Sequence, residues 1–100
     1  MKTEERQSSR PVDIVVPVYN GYEDLLLCVG SLKRHTDLTR HRVILIDDKS
    51  TDGRIRPYLE REKLCPGICV LFNDQNRGFS ANVNTGLAYS RRDTILLNSD

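Results

Sequence analysis

Val43-Ile44-Leu45-Ile46-Asp47-Asp48-Lys49-Ser50-Thr51-Asp52-Gly53 is the stretch that decides the fold. Four apolar residues run without a break, which suits a strand buried on both faces of a parallel sheet. They stop on two adjacent carboxylates, and a turn-forming Ser-Thr-Asp-Gly follows. Apolar strand, acidic pair and polar turn make the layout of a ligand site at the carboxyl end of a strand. Taken alone, the same residues also describe a solvated acidic turn. Recurrence along the chain separates the two readings.

Upstream, Val12-Asp13-Ile14-Val15-Val16-Pro17-Val18-Tyr19-Asn20 is dominated by β-branched residues and reads as the first strand. Pro17 donates no ladder hydrogen bond, so the strand is expected to leave the sheet there, with Tyr19 and Asn20 in the exit loop. Asn20 suits the cap of the next helix, with Glu23 as capping-box partner. That helix is expected over Tyr22–His35, with Leu25, Cys28, Val29 and Leu32 on one face and Leu26 widening it. His35, Arg40 and His41 then form a basic loop, read as solvated, at the sheet end opposite Asp48.

Downstream, Pro57 fits a helix's first turn but not its interior, so the second helix is short, over about residues 56–63, or kinked. Ile68-Cys69-Val70-Leu71-Phe72 is the third strand and ends on Asn73-Asp74. A polar loop, residues 75–82, leads into a helix reaching about Ser90. Phe79, Val83 and Leu87 share its apolar face, with Asn82 and Asn84 away from that stripe. Gly86 inside the helix points to close packing, and Arg91 and Arg92 suit its C-terminus. Thr94-Ile95-Leu96-Leu97 is the fourth strand, followed by Asn98-Ser99-Asp100.

The order β-α-β-α-β-α-β predicts a Rossmann-like open parallel sheet with right-handed crossovers and helices on both faces. All strand carboxyl ends then share one edge. Tyr19, Asp47, Asp48, Asn73, Asp74, Asn98 and Asp100 collect there.

Composition bounds the rest. One hundred residues suffice for one small domain, and a net charge of +1 gives no field for nucleic acid. No apolar run approaches a membrane span, and the N-terminus lacks the apolar core of a secretory signal. Residues 1–11 read as a disordered polar tail and 12–100 as one unit. Cys28, Cys65 and Cys69 lack the paired spacings of a zinc site and read as reduced, mostly buried thiols of a cytoplasmic protein. The stretch ends at a strand end with no closing helix, so it is expected to be the N-terminal part of a longer domain.

Val16-Pro17-Val18-Tyr19-Asn20, the acidic stretch from Ile46 to Gly53, Asn76-Arg77-Gly78-Phe79-Ser80-Ala81-Asn82-Val83-Asn84-Thr85-Gly86 and Leu96-Leu97-Asn98-Ser99-Asp100 together resemble family 2 glycosyltransferases. Each motif alone is weak; four in order and spacing are specific. The Asn-x-Gly-Phe stretch and the Asn-Ser-Asp ending look most like rhamnosyltransferase-type members. The resemblance implies the GT-A fold, with a nucleotide-binding α/β part joined to an acceptor-binding half. It implies an enzyme of carbohydrate biosynthesis that moves a sugar from a nucleoside diphosphate donor to an acceptor hydroxyl, with inversion. The acceptor is a saccharide, a lipid-linked group or a protein.

By that resemblance Pro17 and Tyr19 line the base pocket, Asp48 contacts the base, and Asn76, Gly78 and Asn84 flank the nucleotide. Asp47 has no assigned role. Asn98-Ser99-Asp100 takes the place of the Asp-x-Asp motif, with Asp100 as the carboxylate for Mg²⁺ or Mn²⁺. Asn98, counted by the resemblance with the nucleotide-binding residues, departs from the pattern and leaves one anionic ligand, which suffices where phosphates supply the others. The resemblance puts the general base and the acceptor site beyond Asp100. Residues 1–100 alone are therefore expected not to transfer sugar, and to self-associate through an uncovered sheet. A place at the inner membrane surface would come through that later part. Uracil, thymine and guanine each offer a ring N–H to Asp48, and the resemblance favours UDP or dTDP sugars.

Two other readings share the pattern. A phosphoacceptor receiver module also carries a strand-end acidic pair, but a full strand and helix precede Asp48 here, and the loop from Asn76 to Gly86 has no role in it. A non-catalytic nucleotide-binding protein of the same fold would differ only in residues beyond Asp100.

Overall fold

Aliphatic and β-branched runs set the strands, and glycine and asparagine set where they stop. The computed structural model describes residues 10–99. Among them the order is β1 (Val12–Val18), α1 (Tyr22–His35), β2 (Arg42–Asp47), α2 (Ile55–Glu62), β3 (Ile68–Phe72), α3 (Phe79–Tyr89) and β4 (Asp93–Leu96). The strands form one parallel sheet in the order β3-β2-β1-β4, the expected α/β arrangement. Residues 1–9 of the polar tail, and Asp100, lie outside the described residues.

Alternation along the strands divides the core between the two faces. Val16, Val18 and Leu45 pack with Leu25 and Val29 of α1 and Ile55 and Leu59 of α2. Val15, Ile44 and Ile46 face the other way. There α3 presses close: a Cβ on Gly86 would sit 2.6 Å from Val15 Cγ1 and collide with Ile46 Cδ1. The glycine expected to mark close packing therefore does so. Pro57 is the third residue of α2, where its missing N–H has no intrahelical partner, so the helix is short and not kinked.

Several expectations are corrected. β1 does not leave the sheet at Pro17, which pairs in register with Ile46. The carbonyl of Val15 accepts from Leu97 of the β4 side, and that of Val18 accepts from Asp48 of the β2 side. Two residues on from Val15, Pro17 turns its donor-free nitrogen toward β4, whose pairing with β1 ends at Leu96. Leu26 lies on the exposed side of α1. In α3, Phe79 and Leu87 are 57% and 44% exposed, and the buried stripe is Asn82, Val83 and Gly86. The three cysteines are free but only half-buried.

The basic loop is likewise not merely solvated. At the amino end of the sheet Asp13 is fully buried. Arg42 grips it with Nε at 3.1 Å and Nη2 at 2.9 Å, and Ser90 Oγ donates at 2.8 Å. Arg92 Nε lies 3.7 Å away. His41 Nδ1 accepts from the Val12 amide. Burial alone would raise the Asp13 pKa, but the hydrogen bonds from Arg42 and Ser90 and the charges of Arg42 and Arg92 outweigh it, holding the carboxyl below its usual range.

Removing Asp13 takes away the acceptor that Arg42, itself partly exposed, and Ser90 share, and leaves Arg42 without its ion pair. Asp13→Ala should lower stability by about 3 kcal/mol in urea unfolding at neutral pH. Because the folded-state pKa is depressed, this contribution is complete above the unfolded value of about 3.9 and is lost as pH falls through the folded value. Wild type should thus lose part of its advantage over the variant only under acid conditions. Gly86→Ala should also destabilise. The gain of about 1 kcal/mol in helix propensity is smaller than the upper range of overpacking costs, about 1–3 kcal/mol, and this contact is severe. A lower urea midpoint with an unchanged slope is the expected result.

Candidate functional site

From β1 the chain winds outward through β2 and β3, then α3 carries it back past β1 to β4 on the other side. The carboxyl ends of β1 and β4 therefore diverge at a topological switch point, where open α/β sheets bind ligands. A cleft of about 270 Å³ opens there. Pro17, Tyr19, Asp48, Asn76, Gly78 and Asn98 line it. Asn84 does not: it is exposed on α3, outside the lining. Asp100 falls outside the described residues.

The exit of β1 is clipped to the exit of β2. The expected capping box does not form: α1 has Gly21 at its N-cap in a left-handed conformation, without a side-chain cap. Glu23 instead pairs with Arg54 at 3.1 Å. Asn20, itself at φ 54°, turns its side-chain oxygen to the amides of Thr51 (2.9 Å) and Asp52 (3.0 Å). Its own amide donates to Ser50 Oγ at 2.8 Å. Ser50 Oγ in turn donates to Asp47 Oδ1 at 2.6 Å, and the Ser50 amide donates to the same oxygen. Asp47, without a role from the sequence, thus folds the turn after β2.

Asp48 does something else. Its carboxylate is 3% exposed and accepts three hydrogen bonds. Oδ1 takes one from Asn73 Nδ2 at 3.0 Å and one from the Arg77 amide at 2.8 Å. Oδ2 takes one from the Gly78 amide at 2.8 Å. The loop between β3 and α3 is therefore wrapped around the carboxylate of the residue that follows β2. Gly78 makes this turn at φ 89° and ψ 162°, a conformation only glycine adopts readily.

Beneath this lies Asn82, 1% exposed. Its Nδ2 donates to the Ile46 carbonyl at 2.9 Å, and its Oδ1 accepts from Asn73 Nδ2 at 2.8 Å. The sequence reading placed Asn82 away from the packed face and gave Asn73 only a strand-end position. A signal was present: Asn82 is four residues before Gly86, so whatever surface Gly86 approaches, Asn82 faces too.

Among the described residues no group of three or more His, Cys, Asp or Glu side chains could hold a metal ion. Neither is any described helix long and apolar enough to cross a membrane. Tyr19 stands half-exposed at the cleft. A cleft with a carboxylate in its wall and an aromatic face can take a flat heterocycle bearing an N–H.

The Glycosyl transferase family 2 sequence model matches residues 13–100. A curated relative, the glycosyltransferase AglE of Haloferax volcanii, is 26% identical over 80 residues, which are 79% of this chain and 26% of that protein. Among solved structures, S. aureus TarS 1–349 superimposes with a TM-score of 0.78 at 22% identity, over 90% of this chain and 27% of that one. The mannosyltransferase PcManGT of Pyrobaculum calidifontis, in complex with GDP-Man and Mn²⁺, gives 0.73 at 20% identity, over 89% and 27%. The chain thus spans about a quarter of the length of each.

Asn20→Ala should remove both amide contacts and leave a side chain in the left-handed region. The expected loss is about 1–2 kcal/mol. Hydrogen exchange should quicken at the Thr51 and Asp52 amides more than at the β2 amides. Equal acceleration throughout would mean that Asn20 acts only on global stability.

Proposed function

This chain belongs to glycosyl transferase family 2, and we propose that it forms the donor-binding part of an enzyme that moves a sugar from a nucleoside diphosphate sugar to an acceptor hydroxyl, with inversion. The observation that carries the reading is the cleft at the switch point, which gathers Pro17, Tyr19, Asp48, Asn76, Gly78 and Asn98. We assign the base to the cleft between Tyr19 and Asp48. The Tyr19 ring supplies a face on which any base can stack. Asp48, an acceptor, favours bases with a ring N–H and disfavours adenine and cytosine, whose ring nitrogen is unprotonated. UDP and dTDP sugars fit best. Asn84 stays assigned to the nucleotide-flanking segment, but from the exposed side of α3.

We assign a divalent ion, Mg²⁺ or Mn²⁺, to Asp100, and keep Asn98, two positions earlier in the sequence, with the nucleotide-binding residues. The residues fit in kind, since hard cations of this size bind through one carboxylate plus phosphate oxygens. When bound, the ion neutralises charge on the leaving diphosphate. Parallels are the Mn²⁺ and GDP-Man in the PcManGT complex and the UDP in a TarS complex. The chain's own residues bind and orient the donor. The free cysteines suit a cytoplasmic setting. The acceptor and the general base are not assigned to any residue of this chain.

Calorimetric titration of UDP with and without Mn²⁺ tests the reading. Mn²⁺ should strengthen binding about tenfold or more. Asp100→Ala should remove most of that gain, and Asn98→Asp should increase it by adding a second carboxylate. The same metal response in wild type and Asp100→Ala would refute the metal assignment. No binding of any nucleoside diphosphate would refute the function.

A further inference from the structure

The donor site holds its acidic residue in a state the sequence does not reveal. A carboxylate offers about four acceptor positions, two on each oxygen. On Asp48, Oδ1 is filled by Asn73 Nδ2 and the Arg77 amide. Oδ2 has one partner among the described residues, the Gly78 amide. Among the described residues one acceptor position is left without a donor, on a residue that lines the cleft.

The orientation of Asn73 is not a free choice. Asn82 meets the Ile46 carbonyl, which can only accept, so the Asn82 nitrogen must face it and the Asn82 oxygen must face Asn73. Asn73 then sits between two acceptors, Asn82 Oδ1 and Asp48 Oδ1, and its nitrogen spends one hydrogen on each. Acceptor-only groups at both ends of the chain fix both amides. Turning either would set oxygen against oxygen at about 3 Å.

We infer that Asn73, locked by Asn82, is a specificity-determining residue that leaves Asp48 a single acceptor, so that the site takes uracil or thymine and rejects guanine. The inference rests on the assignment of Asp48 to the base. Uracil and thymine bring one ring N–H between two carbonyls, which one acceptor satisfies. Guanine brings a ring N–H and an adjacent amino group side by side. Matching both takes one open position on each carboxylate oxygen, and Asn73 occupies the second. The guanine amino group would then be desolvated without a partner.

Inosine diphosphate tests this without confounding base size. Hypoxanthine has the ring N–H of guanine but no amino group. Calorimetric titration of the wild-type protein should give UDP as the tightest ligand and inosine diphosphate about tenfold tighter than GDP. Asn73→Ala opens the second position on Oδ1 and should close or reverse the gap between inosine diphosphate and GDP. Asn73→Ser serves the same purpose if the alanine variant folds poorly, and the wild-type comparison requires no variant. A general loss of stability would weaken both purine nucleotides alike and leave their ratio unmoved. Wild-type protein that binds GDP as tightly as inosine diphosphate, or an Asn73 variant with an unchanged ratio, would overturn the inference while leaving the transferase reading standing. Absence of any nucleoside diphosphate binding would overturn both.

Discussion

A carboxylate carried out of a buried strand must find donors or remain in water, and Asp48 finds three within the protein. They come from two later segments, the residue after β3 and the loop before α3. Charge-assisted bonds to backbone amides are among the stronger hydrogen bonds available, and a desolvated acceptor would be costly to leave unmatched. Both facts make the loop between β3 and α3 dependent on β2. The position of Gly78, and with it the start of α3, is set by where Asp48 ends. So is the wall of the cleft. The adjacent Asp47 points to the other task, closing the turn through Ser50 and, by way of Ser50, holding Asn20. Two neighbouring carboxylates of identical chemistry are separated in role by strand alternation, which sends their side chains to opposite faces.

The layer beneath the cleft is polar, although the adjoining core is aliphatic. Asn82 lies in the same helix stripe as Val83 and Gly86, against Ile46. A buried amide in such a place is tolerated only when its hydrogen bonds are made. No buried side-chain nitrogen or oxygen among the described residues lacks a partner. An aliphatic residue at that position would pack as well against the sheet. It would not tell Asn73 which way to turn. Polar burial here specifies orientation rather than adding cohesion.

How much of this was legible depends on the range of each interaction. Strands β2 and β3, helix α1 and the short α2 could be read locally, because apolar runs, helical spacing and Pro57 act within a few residues. Reading Pro17 as the end of β1 failed because the cost of a missing donor depends on whether a neighbour needs it, and β4 has already ended there. The apolar face of α3 was misjudged for a related reason. Phe79, Val83 and Leu87 have the right spacing, but the sheet selects a stripe by how closely it can approach, and Gly86 decides that. The coming together of the cleft was legible because parallel topology sends every strand end to one edge. Its wiring was not, since Asp48–Asn73, Asn73–Asn82 and Asn20–Thr51 are side-chain contacts across elements. Asp13 was missed in the same way: its partners Arg42 and Ser90 lie 29 and 77 residues away.

The two ends of the sheet then differ in a way that bears on function. At the amino end Asp13 receives donors from Arg42 and Ser90, and Arg42 also lies over the Tyr89 ring, 5.4 Å from its centroid. That carboxylate is closed off, and its charge is matched by the protein itself. At the carboxyl end Asp48 likewise accepts three hydrogen bonds among the described residues, but from amides rather than from a guanidinium, and it lines a cleft. A structural carboxylate gains by closing itself off beside a cation, as Asp13 does with Arg42; a recognition carboxylate must stay within reach of a ligand. Asp48 stands between those demands, with enough bonds to be rigid and one position left to read a ligand. Rigidity matters because a carboxylate free to rotate could offer one acceptor or two by turns and would discriminate poorly. The clamp that builds the loop is therefore the same feature that gives the remaining acceptor a fixed direction.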